Sequence, residues 1–103
     1  MKVLKDCFEN SVRLTDERLE HIHLHPEMVS IKSEIAVTLK SPEVVKCSRS
    51  DDEVKLFYRF YADTLVGGKW LCVVTKADDT GAFVVTAYLT DKIKQGEDLW
   101  PMQ

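Results

Sequence analysis

The segment EVKLFYRFYADTLVGGKWLCVVTKADDTGAFVVTAYLT, residues 53–90, decides the fold. Apolar residues recur in it with a period of two, the signature of strands with one buried face, and turn-forming clusters, DTLVGG and DDTG, break the runs. Strands are therefore predicted at residues 53–62 (EVKLFYRFYA), 69–77 (KWLCVVTKA) and 82–90 (AFVVTAYLT). Another precedes them at 43–48 (EVVKCS), set off by RSDD. Loops this short connect antiparallel neighbours, so the second half of the chain reads as a four-stranded antiparallel meander.

Alternation also sorts side chains by face. In the last of these strands Phe83, Val85, Ala87 and Leu89 form the expected core face, and Val84, Thr86, Tyr88 and Thr90 the opposite one. In the 53–62 strand Val54, Leu56, Tyr58 and Phe60 share one side, while Lys55, Phe57, Arg59 and Tyr61 share the other. Whether Arg59 and Thr86 lie on one side of the sheet depends on register, and a slip of one residue reverses the answer.

Upstream of residue 43 the period changes. In MVSIKSEIAVTLK, Met28, Ile31, Ile35 and Leu39 fall at steps of three and four and build one apolar helical stripe. SPE at 41–43 ends this helix, because proline cannot continue the hydrogen-bond ladder. An earlier helix over 16–25 starts after Thr15, whose hydroxyl suits the orphan amides, with Asp16 and Glu17 at the positive end of the dipole. Pro26 disfavours helical geometry at His25, so the first helix ends or bends there and the second begins near Pro26–Met28. At the N-terminus, KVLKDCFENSVRLT carries β-forming residues on both sides of Glu9-Asn10, a hairpin with strands near 2–7 and 11–14. The expected architecture is α+β: two N-terminal helices packed on an antiparallel four-stranded sheet, with a short N-terminal β-hairpin.

A chain of 103 residues fits a single domain, 1–103, that buries roughly two-thirds of its unfolded surface. Its 45% hydrophobic and 30% charged content is that of an ordinary globular domain. Cys7, Cys47 and Cys72 form an odd set without metal-ligand spacing, which points to a reducing compartment. MKVLKDCFEN reaches charged residues too early for a signal peptide, and no stretch approaches the ~20 apolar residues of a membrane span. A cytoplasmic protein without membrane contact is expected. The net charge of -3 speaks against a nonspecific nucleic-acid coat but permits a small basic pocket.

All three histidines sit in LEHIHLHPEM, residues 19–28. On a helix His21 and His25 stand one turn apart, with Glu17 a turn earlier, while His23 points away from that line. Glu17, His21 and His25 resemble a zinc-binding i, i+4 pair, but the H-E-x-x-H pattern is absent and no Cys or further His completes the sphere, so no metal and no cofactor is expected. Alternatively, an imidazole at a helix end serves as proton donor or acceptor, joined by Arg59, Thr86 and Tyr88 and by Lys69 at a strand start. Cations, hydroxyls and an imidazole are what cleavage of a phosphodiester through the neighbouring 2′-hydroxyl requires. On the residues alone ordinary roles come first: histidines bordering a helix–sheet interface, Thr86 and Tyr88 as strand formers, Arg59 as a solvated charge, Lys69 as a turn residue, and Trp70 and Trp100 as packing residues.

RLTDERLEHIHLHPEM, IAVTLKSPEVV, FYRF, KWLCVVTK and FVVTAYLTDKIKQGEDLW, in that order from about residue 9 onward, resemble the small phage- and bacterium-associated domains of the barnase, EndoU, colicin and RelE-like (BECR) nuclease group. The resemblance implies a helical pair followed by a four-stranded antiparallel sheet. It also implies a metal-independent endoribonuclease in which His25, with His21 beside it, Arg59, Thr86 and Tyr88 line one cleft; Lys69, which the motif does not demand, and Arg18 are added as substrate-binding candidates. In that reading His25 or Tyr88 moves protons at the 2′-hydroxyl and the leaving oxygen, Arg59 stabilises the phosphoryl charge and Thr86 bonds a nonbridging oxygen. RNA and a cognate inhibitor protein are the implied partners. The competing expectation is a non-catalytic binding module that uses the same cleft or the C-terminal DLWPMQ, where an exposed Trp100 would be the anchor, although packing of Trp100 onto its own domain is the favoured expectation.

Overall fold

The computed structural model describes residues 1–28 and 32–100. The period-two segment forms strands somewhat longer than predicted: β4 (Val54–Thr64), β5 (Gly67–Asp78) and β6 (Gly81–Thr90). Leu65 and Val66 alone join β4 to β5, and Gly67 supplies the positive φ of 90° that closes the turn. β3 (Val44–Cys47) precedes them, and β1 (Lys2–Lys5) and β2 (Ser11–Leu14) form the N-terminal hairpin. Asp6 is buried at the hairpin's bend, where its Oδ1 accepts from the Phe8 and Asn10 amides, each at 2.9 Å.

The expected four-stranded antiparallel sheet is corrected by the structure: the sheet is mixed and has seven strands, in the order β1-β2-β6-β5-β4-β3-β7. Two additions account for this. The hairpin is part of the sheet, because β2 runs parallel to β6, with Val12 opposite Ala82 and Arg13 opposite Phe83. At the other edge an unforeseen β7 (Glu97–Trp100) pairs antiparallel with β3. Parallel pairing between distant segments leaves no local pattern, and a four-residue edge strand carries too little alternation to be read.

Thr15 caps α1 (Asp16–His23) as expected, its Oγ1 accepting from the Arg18 amide at 3.2 Å. The helix stops two residues before the predicted end, with Leu24 as C-cap. Pro26–Met28 form a single 3-10 turn, and α2 spans Lys32–Lys40. The predicted start of the second helix at Pro26–Met28 is thus a 3-10 turn rather than α-helix, and Ile31 of its apolar stripe lies outside the described residues. Both helices lie on one face of the sheet.

Between them the main core collects Val12, Leu14, Ile22, Met28, Ile35, Leu39, Val45, Phe57, Leu71, Val73, Val84 and Ala87. Each fully buried large side chain contributes roughly 1.5–3 kcal/mol of transfer free energy. One expected face assignment is reversed. Thr75 opposes Val84 but Val74 opposes Thr86, so Val85 is an extra residue in β6. This bulge turns Val84 into the core and Phe83 out of it.

The outer face carries a second, smaller cluster of Leu56, Tyr58 and Cys72, flanked by Trp70, Tyr88 and Ile93. Residues 91–96 form a strap across this face, because β6 and β7 are separated by three strands. Four strand spacings amount to roughly 19 Å, and six residues reach about 20 Å, so the strap runs nearly extended. Ile93 seals the cluster, and the Lys94 amide donates to the Tyr58 hydroxyl at 3.1 Å. A Cβ at Gly96 would overlap the Cys47 carbonyl oxygen, so the strap meets β3 where only glycine fits.

Candidate functional site

Register divides the constellation expected from the sequence. Arg59 opposes Leu71, which faces the helices. Thr86 opposes Val74 and Tyr88 opposes Cys72, and both of those partners face outward. The sheet itself therefore separates Arg59 from Thr86 and Tyr88, and a single cleft holding His25, His21, Arg59, Thr86 and Tyr88 is not formed. Tyr88 is also enclosed: its hydroxyl is buried beside the Cys72 thiol, and burial, then the charge and hydrogen bonding of that thiol, push its ionisation far above the ordinary phenol range.

The histidines sort differently from the simple helical projection. α1 packs through Leu19, Ile22 and His23, spaced i, i+3, i+4. His23, expected to point away, is thus half-buried, and its Nε2 is enclosed with no partner among the described residues. His21 is exposed, and so is His25, whose Nδ1 lies 3.9 Å from Glu27 Oε1. Arg18 is exposed on the same helix. Lys69 opposes Tyr61 on the helix side and its ammonium bonds Asp91. Trp100 packs on its own domain, edge-on to Phe8 with centroids 5.8 Å apart, rather than standing free as an anchor.

What the fold does bring together is a polar group on the helix side around Arg59. β4 presents Arg59 and Tyr61 on one face, and α2 places Glu34 and Thr38, one turn apart, above them. The buried Thr38 hydroxyl donates to the Glu34 carbonyl at 2.7 Å, and the Tyr61 hydroxyl lies 3.1 Å from Thr38 Oγ1 and 3.2 Å from that carbonyl. Burial raises the Tyr61 ionisation, with the Glu34 charge adding to the rise, while the Thr38 hydrogen bond and the Arg59 charge oppose it. Arg59 donates through Nη1 to the Ser41 carbonyl at 2.7 Å, which anchors the guanidinium at the exit of α2. Of the Glu34 carboxylate, Oε1 accepts from Ser33, whereas Oε2 is buried with no partner among the described residues.

Glu34, Thr38 and Tyr61 were not singled out by the sequence reading. The available signal was slight: Tyr61 already shares the Arg59 face by alternation, and Glu34 and Thr38 form an i, i+4 polar pair directly beside the Ile35 and Leu39 stripe. Elsewhere a cavity of about 160 Å³ lies between the hairpin bend and the strand ends, lined by Asp6, Glu53, Lys55 and Thr75 among others. Among the described residues no three His, Cys, Asp or Glu side chains converge as metal ligands, and no helix is long and apolar enough to cross a membrane. No family model, curated protein or solved structure matches the chain.

Proposed function

We propose that the protein is a metal-independent endoribonuclease of the barnase, EndoU, colicin and RelE-like group, with its site on the helix side of the sheet around Arg59. The observation that supports this reading is the convergence of a guanidinium, a phenol and a carboxylate, with the Tyr61 hydroxyl under the influence of both Glu34 and Arg59. Glu34 takes the proton of the 2′-hydroxyl, and the 2′-oxygen attacks phosphorus. The bond to the 5′-oxygen breaks, and His25, the imidazole carried over from the resemblance, returns a proton to that oxygen. Arg59 holds the phosphoryl oxygens by charge and by its planar fork, whereas the charge of Lys69 is taken up by Asp91. Thr86 and Tyr88 have no part in this scheme.

The test is incubation of purified protein with a mixed RNA pool in chelator. Products ending in 2′,3′-cyclic phosphate are expected, with a loss of about 10²–10⁴ in rate for Glu34→Gln or His25→Ala. A rate no higher than that of an Arg59→Ala Glu34→Gln double variant would sink the proposal. A second reading, a non-catalytic interaction module, draws on the β4–β5 turn, where Leu65 is 67% and Val66 52% exposed. Light scattering across a concentration series separates the two: self-association abolished by Leu65→Asp, without RNA cleavage, would favour the module.

A further inference from the structure

Small residues leave a pocket at the end of the sheet where β5 stops and β6 begins. Ala77 opposes Ala82 there, and the hairpin bend closes the space above them, which gives the cavity of about 160 Å³. Its β4 wall is Glu53 and Lys55; the Glu53 carbonyl accepts from the Ala77 amide, and Lys55 opposes Thr75. Depth sorts the polar groups: Asp6 and Thr75 are buried, at 2% and 3% exposure, Lys55 is half-buried, and Glu53 and Asn10 stand exposed at the mouth. Bonding within the pocket is incomplete. Asp6 Oδ1 is taken by two amides, but Oδ2 has only the Asn10 side-chain nitrogen, at 3.4 Å. Among the described residues the Thr75 hydroxyl makes no hydrogen bond, and the Lys55 ammonium makes neither a hydrogen bond nor an ion pair. That ammonium lies 4.9 Å from the centroid of the Phe8 ring, and a ring face leaves it donors to spare. Lys76, whose charge Glu53 feels, is bonded to Asp51 at 3.1 Å, so among the described residues Glu53 has no salt bridge either.

We propose that this pocket binds a small free α-amino acid as its zwitterion. The ligand carboxylate accepts from the Lys55 ammonium and the Thr75 hydroxyl, and the ligand ammonium donates to Asp6 Oδ2 and to Glu53. A lone anion would be set against two carboxylates and a lone cation against Lys55, whereas a ligand carrying both charges pairs with each wall. Volume sets the size: a cavity of roughly 150 Å³ takes a benzene-sized molecule of about six heavy atoms, which fits alanine or serine and leaves no space for a long side chain. Ala77 and Ala82 supply the apolar surface that a methyl group covers. The proposal stands apart from the endoribonuclease reading, since none of these residues belongs to the Arg59 group.

The experiment titrates the full chain with L-alanine and, separately, with propionate and ethylamine, each of which carries one of the two charges, while backbone amide shifts are followed by two-dimensional NMR. Saturable shifts centred on the hairpin bend and the facing ends of β4, β5 and β6 are expected with L-alanine, at an affinity at least about tenfold above that of either fragment. Lys55→Met keeps the aliphatic stem, removes the charge and should weaken L-alanine binding by about 10- to 150-fold, the span of a charged hydrogen bond. Thr75→Val should weaken it by about 2- to 12-fold, as expected for a neutral one. Ala77→Leu alters no charge but fills the pocket, and should abolish saturation. The comparison of the three ligands needs no variant, so it decides the matter even where a substitution disturbs folding. Propionate or ethylamine binding as tightly as L-alanine overturns the zwitterion assignment. An absence of saturable shifts with L-alanine, shifts centred away from the pocket, or unchanged affinity in folded Ala77→Leu overturns the site.

Discussion

Raising the pH past the ordinary range of phenol ionisation should unfold this protein before its tyrosines titrate in place. All three tyrosines, Tyr58, Tyr61 and Tyr88, are held protonated above their usual value, each chiefly by burial. Tyr58 is fully buried under the strap and is pushed up to about 12. In the unfolded chain a phenol ionises near pH 10. Between these values the native state keeps a proton that the unfolded state has lost, so stability falls as pH rises. At about 1.4 kcal/mol per unit, Tyr58 alone removes roughly 2–3 kcal/mol between pH 10 and 12, while below pH 10 its contribution is intact. Tyr61 and Tyr88 act in the same direction, and the thiol of Cys7, raised to about 11 by burial and the neighbouring Asp6 charge, joins them. The assay follows tyrosinate absorbance and circular dichroism together through an alkaline titration. Absorbance should stay flat until the dichroism collapses, and Tyr58→Phe should make the alkaline limb shallower. One tyrosine equivalent titrating near pH 10 with native dichroism would refute the reasoning.

Leu71→Ala, emptying a fully buried site in β5, should cost about 2–5 kcal/mol in denaturant unfolding, whereas Leu65→Ala at the exposed turn should stay within about 0.5 kcal/mol; similar costs would contradict the assigned faces. Asp6→Ala strips the acceptor from the Phe8 and Asn10 amides and should destabilise by about 1–3 kcal/mol, with faster amide exchange confined first to the hairpin bend. Gly96→Ala should release β7, read as loss of exchange protection in Val44–Cys47 while β5 and β6 stay protected; unchanged protection would mean that the strap has room there after all.

The sequence made some elements legible because their causes are local. Thr15 caps a helix by a hydrogen bond three residues away, Pro26 and Pro42 interrupt ladders where they stand, and the alternation from Val54 to Tyr61 is written in adjacent residues. What escaped depends on contacts far apart. The extra residue at Val85 cannot be seen in AFVVTAYLT, yet it exchanges Phe83 and Val84 between core and surface. Likewise Arg59 could be assigned to Tyr61's face from β4 alone, but its separation from Thr86 and Tyr88 needed the β5 register between them. The Glu34, Thr38 and Tyr61 group stayed hidden for a related reason: polar residues beside an apolar helical stripe read as its boundary until a strand is laid against them.

The parallel seam between β2 and β6 has a consequence in time as well as in space. Arg13 reaches Thr80 across 67 positions of chain, so the hairpin can find its berth only after the β4, β5 and β6 meander has formed. Pairings of such long sequence separation form slowly, since most of the chain must be ordered before they bring any return. Until the seam closes, β6 is an open edge with a row of unpaired backbone groups, a template for any other extended chain. The N-terminal hairpin thus acts as a late-arriving guard, and the interval before it docks is the period in which crowded copies of this chain are most exposed to one another.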